Sequence, residues 1–65
     1  MKIRFTVRLY KKRKKREVLI AKFVDAKDVC SFYSYREAIN DAHSMASDYA
    51  RFLGATSYSI SEEEL

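Results

Sequence analysis

Proline and tryptophan are absent from this 65-residue chain, and glycine, cysteine and histidine occur once each. Each scarcity excludes something. One cysteine, Cys30, rules out an internal disulfide, and zinc-ligand spacings are missing too. A single glycine, Gly54, rules out a glycine-rich phosphate loop. A lone histidine, His43, leaves little for acid–base chemistry. No apolar run approaches the ~20 residues of a membrane span, and Met1-Lys2-Ile3-Arg4 does not lead into a signal-peptide core. No membrane association is therefore expected. A lone thiol without an export signal fits a cytoplasmic protein (host-cell cytoplasm if the source is viral), with Cys30 as a small, partly buried hydrophobe.

What is present is globular. The chain is 48% hydrophobic and 14% aromatic, too apolar for disorder. A single domain of this size buries only about 60% of the surface its unfolded form exposes, so its core must be thin. With disulfide and metal excluded, oligomerisation or a bound partner is the remaining support.

Charge is segregated along the chain. Residues 1–27 hold eleven Lys/Arg against Glu17 and Asp25, a net +9, and residues 28–65 hold Arg36 and Arg51 against seven carboxylates, a net −5. Such asymmetry points to a charged partner.

Residues 2–10 alternate strictly, with Ile3, Phe5, Val7 and Leu9 on one face and Lys2, Arg4, Thr6, Arg8 and Tyr10 on the other. This is the period of a half-buried strand. Residues 11–16 are a basic hairpin loop, Lys11-Lys12-Arg13-Lys14-Lys15-Arg16, and 17–24 form a second strand. An odd loop sets Leu19, Ala21 and Phe23 beside the Ile3–Leu9 face and leaves Val18, Ile20 and Val24 outside with Lys22 among the basic side chains. An even loop reverses this, because one residue of slip flips every side chain. The odd loop is the preferred register.

Asp25–Asp28 reads as a turn and Val29–Tyr33 as a short strand or an extended lead-in. Ser34-Tyr35-Arg36-Glu37 matches a capping box opening a helix over 35–53, and Gly54 supplies the left-handed stop. On this helix Ala38, Ile39, Ala42, Met45, Ala46, Tyr49, Ala50, Phe52 and Leu53 fill an apolar arc of roughly 160°. A strand over 55–60 and a frayed acidic tail over 61–65 complete the chain. The expected fold is α+β, ββαβ: one mainly antiparallel sheet of three strands, or four if 29–33 pairs, with a single amphipathic helix on one face.

Catalysis is not expected. A Cys30–His43 nucleophilic pair lacks a third orienting group, and Asp41 and Asp48 read as solvated helix residues. No cofactor or metal is implied. The leading expectation is a small binding protein that engages DNA or RNA through Arg4, Arg8, Lys11, Lys12, Arg13, Lys14, Lys15 and Arg16. The rival is a regulator or inhibitor that binds an acidic host protein, through the same hairpin or through an outer face made by Val18, Ile20, Lys22 and Val24. That face could equally pair with a second copy as a homodimer. The basic run also matches a nuclear-localisation signal if the source is eukaryotic or a eukaryotic virus.

Residues 3–53, hairpin followed by the capped helix at Ser34-x-x-Glu37-Ala38, loosely resemble the arm-type DNA-binding domains of phage and transposon integrases. That resemblance implies groove recognition by a three-stranded sheet, and it leaves the strand after the helix unaccounted for. Size and charge segregation are also similar to small early proteins of bacteriophages, which implies a host protein as target.

Overall fold

The computed structural model describes all 65 residues, in the order β1 (Lys2–Arg13), β2 (Arg16–Asp28), α1 (Phe32–Leu53) and β3 (Ser57–Glu64). The three strands form one antiparallel sheet in the order β2-β1-β3, an α+β ββαβ fold. The alternating strand β1 is central, so β2 and β3 run parallel on either side of it and α1 crosses from one edge to the other. The molecule measures 43 × 20 × 14 Å, long because its hairpin is long.

Only nine residues are buried. Ile3, Phe5, Val7 and Leu9 from β1 meet Val29 and the row Ala38, Ala42 and Ala46 of α1. Small side chains at every fourth position let the helix lie close on the sheet. The helix sits over β1 and β3, leaving β2 beyond its flank except where Phe23 stacks on Tyr49, with ring centroids 4.6 Å apart. The far sheet face carries no covering element.

Several boundaries differ from expectation. The hairpin loop is not 11–16: pairing continues to Arg13↔Arg16, so Lys14 and Lys15 alone make the turn. Two residues is an even loop, against the preferred odd register. A bulge between Leu9 and Tyr10 then leaves Ile20 as an extra residue of β2, and the pairing shifts so that Leu9↔Ala21 and Val7↔Phe23 take the places expected of the odd loop. Both registers therefore occur, one on each side of Ile20. Leu19, opposite Tyr10, faces outward, whereas Val18, opposite Lys11, lies on the helix side.

Asp25–Asp28 is strand rather than turn, pairing with Lys2–Phe5, and residues 61–64 are strand rather than a frayed tail, with Glu62–Glu64 opposite Ile3–Phe5. A central strand of twelve residues offers backbone groups on both sides, and pairing them outweighs the poor strand preference of Asp and Glu. The Val29–Tyr33 strand does not form. The Val29 amide donates to the Met1 carbonyl, Ser31 is the N-cap and Phe32 already begins the helix. The capping box uses Ser31 and Ser34, not Ser34 and Glu37. Ser31 Oγ accepts from the Ser34 amide at 3.2 Å, and Ser34 Oγ accepts from the Ser31 amide at 3.0 Å.

Gly54 ends the helix as expected, at φ 71° in the left-handed region. Phe52 and Leu53, expected in the core, are 83% and 40% exposed. Past the Tyr10–Ser57 pair the sheet narrows to two strands, so the last helical turn has little beneath it.

At the other end, Tyr35 donates to Glu62 Oε1 at 2.6 Å and ties β3 to the helix start. The hydrogen bond to Glu62 raises the Tyr35 pKa above its usual value, with desolvation and the carboxylate charge adding to it. A raised acid pKa means that the contact supports the fold below the ordinary tyrosine pKa of about 10 and that this support disappears as pH climbs through the folded value. Tyr35 is expected to ionise above the ordinary tyrosine value in an absorbance titration. Glu62→Gln should lower it toward that value; an unchanged profile would show that the contact does not persist in solution.

Candidate nucleic-acid interface

The hairpin becomes a free ribbon where β3 stops accompanying it. The β1–β3 ladder ends at Tyr10↔Ser57, and the last neighbour is the Thr56 hydroxyl, which accepts from the Lys12 amide at 2.9 Å. Lys12, Arg13, Lys14, Lys15 and Arg16 lie beyond it and are all exposed. By strand alternation Lys12 points to the outer face, while Arg13 and its partner Arg16 point to the helix side. Charge therefore radiates from both faces of the ribbon.

Lys11 belongs elsewhere. It turns toward the helix side, and its Nζ stands 4.0 Å from where a Cβ on Gly54 would be. There its charge complements the negative end of the α1 dipole. Sequence reading had no means of separating it from its five neighbours, because the distinction rests on which face meets the helix.

None of the six basic residues is in an ion pair. The two ion pairs of the chain are Arg4–Glu63 at 3.3 Å and Lys27–Asp25 at 3.5 Å. Glu17, opposite Lys12, instead accepts from Ser57 Oγ at 3.1 Å across the outer face. Two features make the tip intrinsically unfavourable. Arg13 and Arg16 oppose each other directly, a like-charge pair. Lys14 takes φ 57°, the left-handed region where glycine or asparagine would be easier.

The outer sheet face is less basic than expected. Arg4 is neutralised by Glu63, and Arg8 donates to Ser61 Oγ at 3.2 Å. Lys22 lies directly opposite Arg8 and keeps its charge free. Of the four residues expected to make an apolar interface, Lys22 and Val24 do share this face. Ile20 packs against the Val7–Leu9–Ala46 cluster, and Val18 is on the helix side. Leu19 takes their place outside, 49% exposed, with Lys22 between it and Val24, which is 54% exposed.

The opposite side of the molecule is acidic. An open groove of about 500 Å³ between β2 and α1 is bordered by Asp25, Asp41 and Asp48, with Lys27 the one cation, already held by Asp25. A polyanion approaching from that side would be repelled, so charge alone orients the hairpin toward it.

The chemistry-bearing side chains are dispersed. Cys30 is exposed rather than partly buried, and it precedes the helix. His43 is the twelfth helical residue, roughly 17 Å further along the axis at 1.5 Å per residue, so the two form no pair. His43 Nδ1 lies instead 3.2 Å from the Tyr58 hydroxyl. No group of three His, Cys, Asp or Glu side chains is placed to hold a metal ion, and no helix is long and apolar enough to cross a membrane.

No protein-family model, curated protein or solved structure matches this chain.

Proposed function

We propose that the protein is a non-enzymatic nucleic-acid-binding domain that engages phosphates with the ribbon tip Lys12–Arg16, assisted by Arg8 and Lys22. One observation carries this reading: five exposed cations crowd one tip, none of them is in an ion pair, and Glu17, the carboxylate opposite Lys12, accepts instead from Ser57. A tip kept basic only for solubility would gain from internal pairing, and this one has none. The lone exposed thiol supports a cytoplasmic setting.

Counterion release gives the test. With three to five phosphates neutralised, log K should fall against log salt with a slope of about −3 to −4.5, or roughly 100-fold weaker binding between 50 and 200 mM. Fluorescence anisotropy on a labelled oligonucleotide measures it. No binding at 50 mM salt would reject the reading.

A protein partner is the second reading, favoured by the exposed side chains of Leu19 and Val24 on the uncovered outer face, on either side of Lys22. It requires a complex that survives nuclease treatment and is lost on Leu19→Ser with Val24→Ser.

A further inference from the structure

Resting on the nucleic-acid reading, we infer that the ligand class is B-form duplex DNA, entered at the major groove by the ribbon, and not single-stranded nucleic acid. Three observations carry this choice.

The ribbon has the dimensions of the groove. Two strands stand about 4.8 Å apart, and a two-stranded ribbon with its side chains fits a major groove about 12 Å wide and 8.5 Å deep. From Lys12, the last residue with a neighbour outside the ribbon, to the turn at Lys14 there are two residues, or about 7 Å at ~3.3 Å each, and the Lys14 and Lys15 side chains carry the tip on toward the groove floor.

The cations are arranged for two walls. Lys12 leaves one face of the ribbon, Arg13 and Arg16 leave the other, and Lys14 and Lys15 lead at the turn. A groove presents phosphate lines on both sides of an inserted ribbon. A single strand presents one line and would leave half of these charges without a partner.

The surface lacks a stacking platform. Sequence-tolerant binding of single strands relies on successive bases lying on aromatic rings along a basic track. The outer sheet face offers one ring, Tyr10, among Thr6, Leu19, Val24, Ser57, Ser59 and Ser61. The exposed rings of Phe32, Tyr33, Tyr49 and Phe52 belong to α1, on the other layer, and Tyr58 of β3 faces the helix side opposite Leu9.

A-form duplexes have a deep, narrow major groove that excludes such a ribbon, which separates DNA from RNA. The experiment uses the full chain with three labelled 24-mers of matched sequence, duplex DNA, single-stranded DNA and duplex RNA, at 50 mM salt by anisotropy. The expected result is duplex DNA bound at least ten-fold more tightly than either alternative. Single strands bound as well as or better than the duplex would overturn the duplex inference and leave the nucleic-acid reading standing. Duplex RNA bound equally well would overturn insertion into the major groove. Failure of all three to bind would overturn the underlying reading together with this one.

Discussion

Phe5→Ala should leave much of the chain unfolded at 37 °C. Phe5 is 2% exposed and touches the cluster formed by Ile3, Val29, Ala38 and Ala42. Removing a buried phenyl ring costs about 3–5 kcal/mol, from lost transfer energy and from the cavity it leaves. A domain of this length has about 3–10 kcal/mol to lose, at roughly 0.05–0.15 kcal/mol per residue. The alanine-rich face opposite the ring has few long side chains that could swing in to fill the gap. Urea unfolding followed by circular dichroism gives the number. Val24→Ala, on the uncovered face, should shift stability by less than about 0.5 kcal/mol. A Phe5→Ala penalty below that of Val24→Ala would contradict the described core.

The same contrast explains what was legible in the sequence. The four apolar positions of β1 and the alanine row of α1 mark the core because burial on one side imposes a period of 2 or 3.6. Asp25–Asp28 and Glu62–Glu64 carry no such period. They sit on edge strands over the end of the sheet and are held by backbone pairing to β1, and Glu63 also pairs with Arg4. The need of a twelve-residue central strand for partners on both sides was the available signal. The bulge at Ile20 was not legible, since one inserted residue within Val18–Ala21 leaves an apolar run apolar. Its consequence is a different outer face: it turns Leu19 outward and Ile20 inward.

In the candidate site, the sequence marked the basic run as a unit, and the fold divides it. Lys11 serves the helix terminus, and the rest form the tip. Replacing Lys12, Arg13, Lys15 and Arg16 together by Gln should weaken duplex binding at 50 mM salt by more than roughly 100-fold. Thermal stability should hold or rise, because the Arg13–Arg16 opposition disappears. Full binding by this variant would move the site off the hairpin. Lys14 sharpens the question because its backbone and its charge pull in opposite directions. At φ 57° a non-glycine residue is disfavoured by about 1 kcal/mol, so Lys14→Gly should stabilise the hairpin by up to that amount. The same change removes one leading cation and should weaken duplex binding several-fold. A lysine that only solubilised the turn would be improved by glycine with nothing lost. A tip that becomes more stable and binds less well is one whose composition is held by its ligand.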